Sequence, residues 1–463
     1  MDIDAILTLN FFLSTVTHSD TIDSCDWSIF SLHPPTHPSI SLHSALVPFI
    51  AMAALDQQVP FDHRVSLGHQ APLDHPTLQC KLLGKSLLST TQYRGLQYAT
   101  IPKRWQESLP LNTLHPNQTI NGVELHDATH FGPSCPQKRG AQAWDLTLVG
   151  DNLNLPNEEG QGESEKMDEL QCLHVNVTVP KTIERRGKGK GLPVFVWVHG
   201  GGLSMGSNSW PQYDLAKFVE RSIEVGKPVI GVSVNYRVGI LGFLASEELG
   251  VDGNFGFKDI VLAFKWVKRH ITGFGGDSSN VTAAGESAGA IALSTILCSE
   301  HALGREALFE RVVIMSGEVT LRKPRGRRWH EEMYGDQLKF LGLEKVDREE
   351  RTRKMRELDA EELCQKLPLA QHFCGVVDGK WLRGEVTLGT LERGGGRVHR
   401  PEWCKEMTAG STVHDVSFIF AFRINLLEIS SRFDFQSREL SSKPASSIPR
   451  PSYHASTLSV LHI

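Results

Sequence analysis

The stretch VTAAGESAGAIALSTIL, residues 281 to 297, decides the fold. Its first four residues are apolar or β-branched and predict a buried strand, and Ala290 to Leu297 predict a helix. Between them lies the pentapeptide Gly285 to Gly289, in which two glycines flank Ser287. A turn from strand to helix this sharp leaves no room for side chains at the glycine positions. The pattern therefore predicts a serine presented on a strand–turn–helix, in the geometry of a nucleophile elbow.

A second glycine-rich motif lies upstream of this serine. The apolar run Pro193 to Val198 predicts a buried strand, and it leads directly into His199 to Gly202, the tetrapeptide HGGG. Glycines there would let backbone N–H groups approach a reacting carbonyl closely, as an oxyanion loop requires. Either motif alone also occurs in ordinary glycine-rich loops, where Ser287 would be only a small turn residue. The two motifs in this order, each after a strand, favour the catalytic interpretation.

The surrounding sequence alternates strands with helices. Val229 to Val234 and Val312 to Met315 predict two further buried strands, and the apolar residues of Asp259 to Ile271 recur at helical spacing. Such alternation predicts the α/β class, with a mostly parallel central sheet covered by helices on both faces. Ligands bind these sheets at the carboxyl ends of the strands, where both motifs lie.

These motifs and their context resemble the type-B carboxylesterase and cholinesterase family of α/β-hydrolases, particularly its fungal members. The matching tracts are YRGLQYATIP (93–102), DATHFGPSCPQ (127–137), MDELQCLHVNVTVP (167–180), the block 193–317 and, more loosely, GVVDGKWL (375–382) and PEWCKEMTAGSTVHDVSFIF (401–420). The resemblance covers residues 76 to 421 and implies one α/β-hydrolase domain over that range.

The resemblance implies roles for five residues. Ser287 would be the nucleophile, and the N–H groups of Gly201, Gly202 and Ala288 would form the oxyanion hole. Asp415 would be the acidic member of the catalytic triad. The residue after it departs from the family, which usually has a small residue there, so a surface carboxylate is the alternative for Asp415.

The catalytic histidine of the family lies well beyond the acid, past the last residue of this sequence. Residues 422 to 463 resemble nothing in the family, and Ser441 to Ser452 are rich in Ser and Pro, a composition typical of disorder. His454 and His462 lie in this tail, where a histidine is more often solvated than catalytic. We therefore expect a truncated or divergent family member, with the C-terminal part of the fold incomplete and a disordered tail.

The first 75 residues stand apart and are expected to form a poorly structured extension, with Met52 a reasonable start. Ala5 to Val16 is apolar enough for the core of a secretory signal, but acidic residues replace the basic region that such a signal needs. We therefore expect a cytoplasmic protein, with secretion as the alternative. Neither this stretch nor Ser44 to Leu55 is long enough to span a membrane.

The amino-acid composition argues against several classes of binding partner. A formal net charge of −5 over 463 residues gives no reason to expect nucleic-acid binding. The basic clusters 184–191 and 322–328 are more typical of solvated loops than of localisation signals. Without zinc-ligand spacing, a G-x-G-x-x-G motif or a P-loop, we expect neither a metal nor a cofactor. Nothing in the sequence specifies an oligomeric state.

Eight cysteines in a chain of this length do not form a disulfide scaffold. The resemblance implies one pair, because Cys135 and Cys172 occupy the positions of the family's N-terminal disulfide.

The function that the resemblance implies is carboxylic ester hydrolysis. Ser287 would attack a small-molecule ester and form an acyl-enzyme, while a histidine takes its proton and Asp415 orients that histidine. A carboxylesterase-type serine hydrolase of this kind needs no cofactor. The alternative is a non-catalytic esterase-like protein that binds small molecules or partners, which the lack of an identifiable catalytic histidine favours.

Overall fold

A computed structural model of the chain describes residues 72–147, 165–181, 191–304, 306–369, 371–384, 386 and 401–411, and the backbone of 461–462. The chain divides into two compact units, one of residues 1–71 and 144–154 and the other of 72–143 and 155–463. The fold described below is that of the second unit. Residues 1–71 of the predicted N-terminal extension, Asp415 and His454 lie outside the described residues, as does the side chain of His462. The boundary predicted at residue 75 is wrong by a few residues, because residues 73–75 form a strand that pairs with residues 80–82 and ends in the buried His75.

The strands lie mainly in one mixed sheet. They are β1 (Leu73–His75), β2 (Cys80–Ser86), β3 (Thr90–Gln97), β4 (Ala99–Thr100), β5 (Leu109–Pro110), β6 (Gln118–Ile120), β7 (Val123–Ala128), β8 (His174–Pro180), β9 (Leu192–Val198), β10 (Ile230–Val234), β11 (Gly276–Glu286), β12 (Arg311–Met315), β13 (Arg325–Gly326), β14 (Val376–Val377), β15 (Glu406–Gly410) and β16 (Leu461–His462).

Helices separate the strands of the parallel part of the sheet, and three further helices follow one another after β13. The helices are α1 (Ala141–Thr147), α2 (Ala216–Glu224), α3 (Gly239–Phe243), α4 (Phe255–His270), α5 (Ala288–Leu297), α6 (Arg327–Leu341), α7 (Arg348–Glu357) and α8 (Ala360–Lys366). Short 3₁₀ turns span Pro211–Tyr213, Ile271–Phe274 and Glu300–Leu303. Within the described ranges, no helix is both long and apolar enough to cross a membrane.

The main sheet has the order β16-β15-β12-β11-β9-β10-β8-β3-β2-β7-β6. Its centre is parallel, because β15, β12, β11, β9 and β10 all run in the same direction. The strands β8, β3 and β2 continue the sheet in antiparallel fashion. The predicted mostly parallel α/β sheet is thus confirmed, with an antiparallel extension built from the N-terminal half of the chain.

The parallel strands owe their position to continuous apolar sequence. All five residues of β10 are buried, and β9 exposes only its second and sixth residues in part. A strand that is buried on both sides must be covered on both faces of the sheet. The long helix α4 supplies part of this cover, since eleven of its residues are buried, including Ile260, Phe264 and Val267.

Candidate active site

Ser287 occupies the turn between β11 and α5. Its backbone angles are φ 51° and ψ −117°, and it is the N-cap residue of α5. This combination lies outside the allowed regions for a residue with a side chain and costs about 1–3 kcal/mol. The Ser287 N–H donates to the carbonyl of Met315 at 2.9 Å, and the Ser287 carbonyl accepts from Ile291 N–H at 2.9 Å. The neighbouring strand β12 and the first turn of α5 therefore hold the serine in its strained conformation.

Glycines allow this turn to pack against its neighbours. A Cβ atom on Gly289 would lie 2.1 Å from the Val198 carbonyl oxygen, and one on Gly285 would lie 2.6 Å from the carbonyl carbon of Gly289. A Cβ atom on Gly317 would lie 2.3 Å from the carbonyl oxygen of Ser287. All three contacts are with backbone atoms, which cannot rotate out of the way. The close approach of α5 to the end of β9 therefore depends on glycine at position 289.

The HGGG loop lies against the serine. Val198, the last residue of β9, pairs with Gly285 of β11, so both motifs leave the sheet at adjacent strand ends. A Cβ atom on Gly200 would lie 3.4 Å from the Cβ atom of Ser287 and 2.8 Å from a carboxylate oxygen of Glu286. Two motifs separated by more than eighty residues of sequence thus meet at the carboxyl edge of the parallel strands.

Three backbone donors next to the serine are unused. Within the described part of the chain, the N–H groups of Gly201, Gly202 and Ala288 donate to no other residue. Gly201 and Gly202 have φ angles of 99° and 63°, and a Cβ atom on Gly201 would lie 2.2 Å from the Met205 carbonyl oxygen. Ala288 begins α5, where the helix carries partial positive charge. Unpaired N–H groups beside a candidate nucleophile are what an oxyanion hole requires.

An arginine that the sequence analysis assigned to a solvated loop secures the HGGG loop. Arg322 Nη1 donates to the carbonyl oxygen of Gly202 at 2.8 Å and to those of Gln371 and Phe373 at 3.3 Å each. Burial lowers the pKa of the Arg322 guanidinium from its usual value. In the sequence, the one sign of this role is that Arg322 follows shortly after β12, whose end lies at the same edge of the sheet as the HGGG loop.

His199, the first residue of the HGGG motif, is buried and stabilises the same loop. Its ring is fully buried and stacks on Tyr236, with 4.4 Å between ring centroids and an interplanar angle of 16°. Its Nδ1–H donates to the Gly200 carbonyl at 2.9 Å, and the Tyr236 hydroxyl donates to the His199 carbonyl at 2.8 Å. Burial lowers the pKa of His199 to about 4, so the ring is neutral at neutral pH.

The remaining triad positions are not assembled within the described residues. None of the histidines described there forms a hydrogen bond with Ser287. Asp415 lies outside the described residues, but β15 ends five residues before it. The last residue of β15, Gly410, pairs with Met315, whose carbonyl accepts the Ser287 N–H. The strand β15 therefore ends at the same edge of the sheet as the serine.

Cys135 and Cys172 lie together in the core. Both are fully buried free thiols. A side-chain hydrogen bond to Cys135, and then burial, raise the pKa of the Cys172 thiol well above its usual value. The two sulfur atoms are thus neighbours, as the family resemblance implies, and are reduced in this structure.

The pair is expected to form a disulfide when the protein is oxidised, because the thiols already touch. Peptide mapping without reduction, before and after treatment with diamide, will measure this, and a Cys172→Ser variant should leave Cys135 unpaired. Cys364 is the natural competitor, since it is also buried and its Sγ donates to the Pro136 carbonyl at 3.2 Å. A Cys135–Cys364 bond in place of the predicted one would contradict the pairing.

The chain is similar to several known proteins. The model of the family described as "Carboxylesterase family" matches residues 76–425. Lipase 3 of Yarrowia lipolytica is 34% identical over 274 residues, which are 59% of this chain and 51% of that protein. Para-nitrobenzyl esterase of Bacillus subtilis is 35% identical over 240 residues, 51% of this chain and 42% of that protein.

A cholinesterase and a solved esterase structure are also similar to this chain. Cholinesterase of Mus musculus is 32% identical over 318 residues, 64% of this chain and 46% of that protein. The chain thus spans about half the length of the curated relatives it matches. A solved thermophilic PNB esterase superposes with a TM-score of 0.52 at 28% identity, covering 68% of this chain and 59% of that chain.

Proposed function

Because this chain belongs to the carboxylesterase family, we propose that it is a carboxylic ester hydrolase with Ser287 as the nucleophile. The observation that supports this most directly is the position of Ser287. It sits on a strained turn, φ 51° and ψ −117°, against an HGGG loop in which the N–H groups of Gly201 and Gly202 donate to no other described residue. The substrate class that this site fits is a small-molecule ester.

The proposed reaction proceeds in two acyl-transfer steps. Ser287 Oγ attacks the ester carbonyl, and the alcohol leaves as an acyl-enzyme forms, which water then hydrolyses. The N–H groups of Gly201, Gly202 and Ala288 bind the oxyanion of each tetrahedral intermediate, and one such donor is worth about 3–4 kcal/mol. A histidine takes and returns the proton, with Asp415 proposed to hold that histidine in the required tautomer. Arg322 fixes the loop carbonyl of Gly202, so the adjacent donors stay in position.

A second candidate function rests on the missing base. No histidine of the described ranges reaches Ser287, and without a base the serine hydroxyl is a poor nucleophile. This observation favours a non-catalytic esterase-like protein that keeps the site for binding small molecules or partners.

Covalent labelling distinguishes the two candidates. We expect prolonged incubation with a fluorophosphonate to give one adduct, which mass spectrometry places on the peptide that contains Ser287. The Ser287→Ala variant should give none. Ser294→Ala is the matched control, since Ser294 lies on the same helix and its hydroxyl donates to the Ala290 carbonyl at 2.9 Å. An unlabelled but folded protein would support the binding candidate instead.

We also propose the domain organisation and location that the sequence favours. Residues 76–421 would form a single α/β-hydrolase domain between an N-terminal extension and a divergent tail. The protein would act in the cytoplasm, which the acidic N-terminus supports and which would keep Cys135 and Cys172 reduced.

A further inference from the structure

A cavity of about 310 Å³ lies at the start of α6, among residues that take no part in the proposed ester chemistry. This volume is at the lower end of the range found for small-molecule sites. We call it the basic cavity, and its lining residues are Lys323, Pro324, Arg325, Gly326, Arg328, Trp329 and Glu332.

The basic cavity has an excess of positive charge. Of its three cationic side chains, Arg328 is paired with Glu332, with 3.1 Å between Nε and the carboxylate oxygen. The side chains of Lys323 and Arg325 form no hydrogen bond or ion pair with the part of the chain that the structure describes. Two unmatched cations therefore face one small cavity.

Arg325 carries a buried donor without an acceptor. Its Nε is inaccessible to solvent and has no hydrogen-bond partner among the described residues, although its backbone N–H donates to the Gly375 carbonyl at 2.8 Å. Leaving a buried cationic N–H donor unpaired costs free energy. The Nε atom itself is enclosed, but Arg325 as a whole is only partly buried and lines the cavity, so its cationic side chain still contributes charge there.

The first turn of α6 adds to the positive potential. Its N-cap residue, Gly326, lines the cavity and has no side chain with which to cap the helix. The first N–H groups of this 15-residue helix therefore remain available, and oxyanions bind well at such positions. This contribution supplements the positive charge of Lys323 and Arg325, which carries the argument.

Trp329 gives the cavity an apolar wall. Its indole packs edge-to-face on His372, with 6.0 Å between ring centroids, so the ring is held in place. A fixed aromatic surface next to two cations suits a ligand with a flat apolar part beside its charge.

We propose that the basic cavity binds a phosphate monoester with an aryl or alkyl group. A phosphate monoester carries close to two negative charges at neutral pH, since its second pKa is about 6. That charge matches Lys323 and Arg325, and arginine is suited to contacts with phosphate oxygens. The organic group would pack on Trp329.

Isothermal titration calorimetry of the full chain with phenyl phosphate tests the proposal. We expect saturable binding that weakens with added salt, and at least tenfold weaker binding of inorganic phosphate and of benzoate. The Lys323→Gln/Arg325→Gln variant should lose at least tenfold in affinity for phenyl phosphate. Trp329→Leu should reduce the preference for phenyl phosphate over inorganic phosphate.

The controls separate a specific site from general attraction and from the ester site. Lys103→Gln/Lys345→Gln removes the same charge at two exposed positions outside the cavity and should bind as the native protein does. Ser287→Ala should also bind normally, whether or not the protein is an esterase. No binding to the native chain, equal losses in both double variants, or loss of binding in Ser287→Ala would overturn the proposal. Melting temperatures of all variants verify that each is folded.

Discussion

The 463-residue chain will react with a fluorophosphonate about 10⁴-fold more slowly, or slower still, than para-nitrobenzyl esterase of Bacillus subtilis. The reason is the low reactivity of the Ser287 hydroxyl as a nucleophile. A serine hydroxyl is a poor nucleophile unless a histidine accepts its proton, and removing that base from a serine hydrolase costs roughly 10⁶ in kcat. The unused N–H groups beside Ser287 would still leave about 10³–10⁴-fold catalysis over water. Second-order labelling rates for the two proteins, measured side by side, provide the comparison.

Two variants test which residues are responsible for the labelling rate. Ser287→Ala should remove the residual reaction, whereas His454→Ala should leave it unchanged. The contrary result would be rapid labelling of the native chain that His454→Ala abolishes. That outcome would show that the tail supplies the base, and it would restore full esterase chemistry to this chain.

Replacing Gly289 with alanine is expected to destabilise the protein by about 3 kcal/mol or more and to abolish any reaction at Ser287. The added methyl group would lie 2.1 Å from the Val198 carbonyl oxygen and 2.9 Å from that of His199, both of them backbone atoms. Only a shift of α5 away from β9 can relieve this overlap, and overpacking of this kind costs about 1–3 kcal/mol or more. The shift would also move Ala288 and Ser287 relative to the HGGG loop.

Gly335→Ala is the matched control, because Gly335 is also within a helix, α6, and a Cβ atom there would meet nothing within 4 Å. Alanine is favoured over glycine in a helix by about 1 kcal/mol, so this variant should be slightly more stable than the native protein. Urea unfolding followed by circular dichroism measures both changes. A Gly289→Ala protein as stable as Gly335→Ala would show that α5 and β9 do not pack as closely as described.

Local patterns predicted the centre of the fold well. Val194 to Val198, Val281 to Ala284 and Val312 to Met315 are apolar on both faces, and each lies within a strand of the parallel sheet. The strand β11 begins five residues earlier than predicted, at Gly276, because its first residues are polar and its register shifts before Val281. Periodicity does not reveal a strand of that composition.

The helix α4 shows the same limit at a boundary. It begins at Phe255 rather than Asp259, directly after Asn254, whose φ of 62° is left-handed. The predicted start followed the apolar spacing, whereas the actual start is set by the turn before it. Local spacing therefore identified the helix and its buried face but not its first turn.

Contacts between distant segments could not be predicted in this way. Arg322 reaches Gly202 across 120 positions of sequence, and its neighbours in the chain form a basic cluster that is typical of a solvated loop. The roles of Ser287, Gly201, Gly202 and Ala288 came from motifs with a fixed local geometry, which is why they could be named in advance. The role of Asp415 stays a prediction, since it rests on the resemblance alone.

The Arg322 contacts have a consequence for how this site can change during evolution. All three oxygens that its Nη1 reaches, on Gly202, Gln371 and Phe373, belong to the main chain. Any amino acid at positions 371 and 373 presents such an oxygen, so this contact places no demand on their side chains, although Phe373 is held separately by its burial in the core. Position 322 has no such freedom, because its donor is a side chain. Selection that preserves these contacts therefore acts on the side chain at position 322, whereas Gly202 and Phe373 are constrained for other reasons, by a left-handed backbone and by burial in the core.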